Sequence, residues 1–249
     1  VKLWDIIPVL LLVLFTLAVG LGAAMAVFVS AWLRRHRQMR EPLTREDLTS
    51  YSFVRVASLH RPVSWIAIRS RNLTVVQEAF GLNNAKPCSW FEGLAGEQKL
   101  FIAPPINGWV LVVGSDLPEP ADDVDACFRF LNELSRKVGH VQFFNASRAL
   151  GHHAWVQMEA GRVVRAYAWA GKTLWNQGIK TAAELELGFK CFGYLENIER
   201  TPYGHSDLIT SNVERVPLLA SRWSLDPAGV DERLFEDARG VAGEPSQLY

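Results

Sequence analysis

The longest uninterrupted hydrophobic run of the chain is residues 6–33, IIPVLLLVLFTLAVGLGAAMAVFVSAWL, with no Asp, Glu, Lys or Arg in it. About 20 apolar residues in a helix cross the hydrocarbon core of a bilayer, whereas a surface helix of a globular domain keeps a polar face. The run therefore predicts one transmembrane helix. Trp4 and Trp32 stand near its ends, where amphipathic rings favour the headgroup level. A signal peptide has a shorter apolar region, about 7–15 residues, with its basic cluster in front. Here Arg34, Arg35, Arg37 and Arg40 follow the run, and only Lys2, opposed by Asp5, precedes it. A retained anchor is expected.

Basic flanks stay on the cytoplasmic side. The pattern thus places the chain in the cell's inner (plasma) membrane as a single-pass protein with its C-terminal part in the cytoplasm. The four arginines are its membrane flank and suit anionic headgroups. Ala18, Gly22 and Ala26 share one helix face at a spacing of four. Small residues so placed let a second helix approach closely, so this face is a candidate helix-packing surface.

Beyond the anchor the periodicity changes. Residues 1–40 read as anchor and basic flank, and 41–60 as a polar linker opened by Glu41-Pro42. Residues 63–69 (VSWIAIR) alternate and predict a strand. Thr74 and Gln77 predict a capped helix that Gly81 ends, followed by an apolar loop over 83–96. Two strands, 99–103 and 109–114, flank Asn107-Gly108, a pair that supplies the positive φ of a tight hairpin. Asp122 or Asp123 caps a helix reaching Val138, with apolar residues at helical spacing and Gly139 as its stop. Residues 141–146 predict a strand, and 152–159 and 162–170 a second hairpin about Ala160-Gly161. Thr181 and Glu184 form a capping box for a helix reaching Tyr194, with Ala182, Leu185, Phe189 and Phe192 inward.

After Arg200 the pattern weakens. Residues 201–240 read as an extension packing on the domain through Trp223, with 201–212 as loop and a last helix opening at Asp226-Pro227. Residues 241–249 read as a flexible tail. The order β-α-β-β-α-β over the domain at 61–200 predicts a ferredoxin-like α+β fold, extended by a β-hairpin and a helix. That plan covers one face of an antiparallel sheet with helices and leaves the other free.

Composition narrows the function. The chain is neutral overall, but residues 1–40 carry a charge of +4, so the remainder carries −4. That balance excludes nucleic acid as an electrostatic partner. Cys88, Cys127 and Cys191 are odd in number, far apart and free of any C-x-x-C pattern, which suits unpaired thiols in a reducing compartment. No phosphate-binding glycine loop and no H-E-x-x-H zinc motif occurs. Gly204-His205-Ser206-Asp207 is not the G-x-S-x-G elbow of a hydrolase and reads as a polar turn. His152 and His153 are neighbours on a strand and point to opposite faces, so they cannot share a metal ion. No metal and no cofactor is expected.

The second hairpin is the most informative constellation. A simple two-residue turn sets His152 opposite Trp169, Ala154 opposite Tyr167 and Val156 opposite Arg165. Arg165, Tyr167, Trp169 and His152 then share one face. Trp, Tyr and Arg dominate binding hot spots, so this face is a candidate recognition surface if it is open; aromatics buried under the segment around Trp223 are the alternative. The leading expectation is a membrane-tethered, non-catalytic binding or accessory module, a small subunit of a larger membrane complex. Its partners are the lipid bilayer and a protein. The alternative is an anchored enzyme or small-ligand sensor without a linear motif, with Glu92, His140, His152 and Arg165 as its candidate site residues.

Overall fold

The computed structural model describes residues 62–94, 98–194, 196, 205–230 and 238–246, all within one unit, Ala57–Tyr249. The predicted anchor and linker lie outside the described residues. So do Ala18, Gly22, Ala26, Arg34, Arg35, Arg37 and Arg40. Among the described residues no helix is long and apolar enough to cross a membrane.

The unit is α+β. Its strands are β1 (Ser64–Arg69), β2 (Leu82–Cys88), β3 (Leu100–Ile102), β4 (Trp109–Val113), β5 (His140–Ser147), β6 (His152–Glu159), β7 (Arg162–Trp169), β8 (Thr173–Gln177) and β9 (Gly240–Pro245). They form one antiparallel sheet in the order β2-β9-β3-β4-β1-β5-β6-β7-β8. The helices are α1 (Leu73–Phe80), α2 (Trp90–Leu94), α3 (Val124–Val138), α4 (Ala182–Glu186) and α5 (His205–Trp223).

Local signals account for many of these elements. Asn107 and Gly108 take φ of 50° and 83° in the β3–β4 connection, and Ile106 and Trp109 exchange both backbone bonds across them. Asp123 accepts from the backbone N–H groups of Asp125 and Ala126 at the start of α3. At α1 the cap is Asn72, which accepts from Thr74, rather than the expected Thr74 itself.

Each face of the sheet carries a buried core. One core packs α1 and α3 against the sheet, through Val76, Phe80, Cys127, Phe130, Leu131 and Leu134 over Ile66, Ile68, Val110, Val112, Phe143 and Val156. A second core on the opposite face sets Trp65, Phe101, Leu111, Phe144, Trp155, Tyr167 and Trp169 under Phe189, Phe192, Val216, Leu219 and Ala220.

This corrects the ferredoxin-like expectation. The sheet has nine strands, and neither face is left free. Three strands and one long helix escaped the pattern. Strand β2 (LNNAKPC) is mostly exposed and does not alternate. Strand β8 (TLWNQ) is short. Residues 241–245, expected in a tail, belong to β9 (GVAGEP), which lies between β2 and β3. A Cβ at Gly240 would stand 2.4 Å from the carbonyl oxygen of Ile102, so that glycine permits the approach. These strands exist through their neighbours rather than their own propensity.

Helix α5 occupies residues expected as loop. Its polar first turns and Pro217 hide an apolar stripe of Val213, Val216, Leu219 and Ala220, all buried. The last helix expected at Asp226-Pro227 is a single 3-10 turn at Pro227–Gly229 in the described residues. Conversely, the helix opened by Thr181 ends at Glu186, and Leu185 points to solvent instead of inward.

Candidate functional site

The second hairpin begins as its spacing predicts. Glu159 pairs with Arg162 and Met158 with Val163 about the turn at Ala160-Gly161, whose φ values are 46° and 80°. Then the register shifts, and Gln157 pairs with Arg165. Val164 is the extra residue of a β-bulge. Every partner beyond it changes: Trp155 faces Tyr167, and His153 faces Trp169. The expected pairings of His152 with Trp169, Ala154 with Tyr167 and Val156 with Arg165 are thereby corrected. His152 falls on the face of Ala154 and Val156, away from the aromatic residues.

Arg165, Tyr167 and Trp169 do share a face, but it is covered. Their relative exposures are 1%, 0% and 3%. The cover is the segment from α4 to Phe192 rather than Trp223. Phe189 packs 4.4 Å from Trp155 and Phe192 packs 5.2 Å from Trp169, centroid to centroid, while Trp223 meets Phe144.

Beneath that cover lies a buried ion pair. Arg165 Nε donates to Glu184 Oε1 at 2.9 Å and to Oε2 at 3.2 Å. Its Nη1 donates to Ala166 O, Asn176 Oδ1 and Gln177 O, and its Nη2 to Cys191 Sγ. Glu184 also accepts from Trp155 Nε1 at 2.7 Å and from Thr181 N and Oγ1. A charge pair taken out of water loses hydration, and it persists where its remaining donors and acceptors are satisfied. Here they are. The capping box Thr181–Glu184 has a double role: it opens α4 and delivers the carboxylate to Arg165. The sequence announced the box but gave no sign of the carboxylate's second partner.

Two further contacts hold the aromatic face, one to this cover and one to α5. Tyr167 Oη accepts from Phe192 N at 3.1 Å, and burial pushes its hydroxyl pKa up to about 12. His153 Nδ1 stands 3.2 Å from the carbonyl oxygen of Gly151, which can only accept, so Nδ1 carries the proton. His153 Nε2 is then the acceptor for Asn212 Nδ2 of α5. Both contacts suit a neutral ring, and burial pulls its pKa down to about 4.

Glu92, His140 and His152 stand apart from this cluster. Glu92 is exposed and caps α2: Ser89 N and Oγ donate to its carboxylate and hold its pKa below the usual range. His140 lies between Glu159 and Gln142, against Trp109, and burial lowers its pKa. His152 pairs with Ser147 across β5, while His140 pairs with Glu159 at the far end of the same ladder. At about 3.3 Å per residue the two histidines stand roughly 23 Å apart. They form no shared centre. Cys88, Cys127 and Cys191 are free, the first two buried.

Comparisons with protein-family models, curated proteins and solved structures find no match.

Proposed function

We propose that the chain is a membrane-tethered, non-catalytic binding or accessory module, held by its predicted span at residues 6–33 within a larger membrane complex. One observation supports the non-catalytic reading most directly. Arg165, the candidate with the greatest chemical capability, directs its guanidinium donors to Glu184, Asn176, Cys191 and backbone oxygens of its own domain. A cation so engaged fastens a cover to a sheet; it does not wait for a substrate. The recognition role then passes from the hairpin face to the outside of the domain and to the anchor.

The proposal places the domain in the cytoplasm and the helix contact on Ala18, Gly22 and Ala26. Purification in mild detergent tests it. A membrane-protein partner is expected in fixed ratio, and Gly22→Leu should lower its recovery while membrane insertion is unchanged, since leucine favours the bilayer core. Equal recovery with Gly22→Leu would move the contact off the anchor. A reporter fused after Tyr249 should be active only inside the cell; activity outside would reverse the topology.

A further inference from the structure

The sheet ends on two edges, β2 and β8, and the chain treats them differently. An edge strand presents unpaired backbone groups that invite a second strand, and proteins guard such edges with charge, proline or irregularity. Strand β2 has all three: exposed Lys86 and Pro87, and a register break between Asn83 and Lys86. Strand β8 (TLWNQ) contains no charged residue and no proline.

At β8, among the described residues, a tyrosine side chain stands in their place. Asn176 N donates to Tyr194 Oη at 2.8 Å, and Tyr194 Oη lies 3.3 Å from Asn176 O, to which it donates. One hydroxyl thus takes both main-chain groups of one residue, as a neighbouring strand would. The ring is 59% exposed, so the bond is held by no deep packing. Asn176 itself is fixed from within: its Oδ1 accepts from Arg165 and its Nδ2 donates to Phe192 O. Among the described residues, the cover on this edge is therefore a hydroxyl carried by an exposed ring, over an asparagine anchored from within.

We propose that the outer edge of β8 is a latent strand-docking site, closed by the Tyr194 hydroxyl, and that its occupant is β8 of a second copy of this chain. The site calls for an extended backbone, because only a strand matches a row of backbone donors and acceptors. The sequence permits self-pairing. A two-fold antiparallel pairing centred on Trp175 sets Thr173 opposite Gln177 and Lys172 opposite Gly178 of the second copy, so no like charges face each other.

The test uses the full chain in mild detergent, in the Gly22→Leu background so that association through the anchor does not contribute. Tyr194→Phe keeps the ring and removes only the hydroxyl. Light scattering should show a dimer at protein concentrations at least tenfold lower than for Tyr194. Hydrogen exchange at the Asn176 amide should be fast in dilute Tyr194→Phe and slow again as concentration rises. Tyr194→Ser, a second variant, should behave alike. Association equal to that of the parent in both variants, with a fast Asn176 amide at every concentration, would overturn the docking site. An Asn176 amide still protected in the dilute variants would overturn the role of Tyr194. Association without concentration-dependent protection at Asn176 would place the contact elsewhere and overturn the proposal as well.

Discussion

Arg165 Nε lies 2.9 Å from Glu184 Oε1, and both side chains are withdrawn from water, at 1% and 0% exposure. The pair joins the middle of β7 to the first turn of α4, and so joins a sheet to the segment that covers it. Removing one partner leaves the other as an uncompensated buried charge. Breaking such a pair costs about 3–5 kcal/mol, whereas replacing both partners with apolar residues of similar volume is often near neutral. Glu184→Gln should therefore lower the urea midpoint of the full chain strongly, and Arg165→Met/Glu184→Leu should lower it less. A Glu184→Gln loss under about 1 kcal/mol would show that the pair does not fasten the cover.

His153 links stability to pH. Its folded pKa is about 4, below the roughly 6.5 of a free imidazole. As pH falls, the unfolded chain takes up the proton first. The contribution of the neutral ring is therefore complete above about pH 6.5 and is lost as pH falls toward 4, on the order of 3 kcal/mol in all. His140 is shifted in the same direction. Urea titrations between pH 4 and 7 should show stability falling with acid, with a shallower slope in His153→Gln. An unchanged slope would remove His153 as the cause.

Gly178 follows β8 with φ of 81°, and an added Cβ would stand 2.3 Å from the carbonyl oxygen of Val164, the bulged residue of β7. The backbone conformation alone costs an alanine about 1–2 kcal/mol. The contact is with main chain and cannot swing aside. Gly178→Ala should destabilise the protein more than Gly171→Ala, a positive-φ glycine with nothing within 4 Å. Equal thermal midpoints would count against a rigid bulge.

The thiols should be slow to react. Burial pushes the pKa of Cys127 up to about 12 and that of Cys191 to about 11, and raises that of Cys88. The thiolate is the reactive form. Iodoacetamide at neutral pH should leave Cys127 unmodified in the folded protein and should alkylate all three cysteines after unfolding without reductant. A cysteine still blocked after unfolding would reveal a disulfide.

The elements legible from sequence were those whose signals are local. Asn107-Gly108 forms a hairpin because two positive-φ residues favour one turn, and Asp123 starts α3 because its carboxylate meets the first free N–H groups. Alternation identified β1, and the Asn107-Gly108 turn located β4. Helical spacing put Cys127, Leu131 and Leu134 on the buried side of α3, though it also put Phe128 there, which is exposed, and missed the buried Phe130. The uncharged run at residues 6–33 is also a local signal, but it lies outside the described residues. What a contact distant in sequence creates was not legible. Strand β9 is a strand because β2 and β3 flank it, and α5 is buried because a sheet face waits for Val216 and Leu219. The candidate site turned on one such event. A bulge at Val164 moved every later partner of β7 by one residue, took His152 to the other face, and set Arg165 under Glu184, nineteen positions away along the chain. A turn's preference lies in the φ of its own residues. The position of a bulge is set by what packs on both sides of a sheet, and only the folded chain brings those sides together.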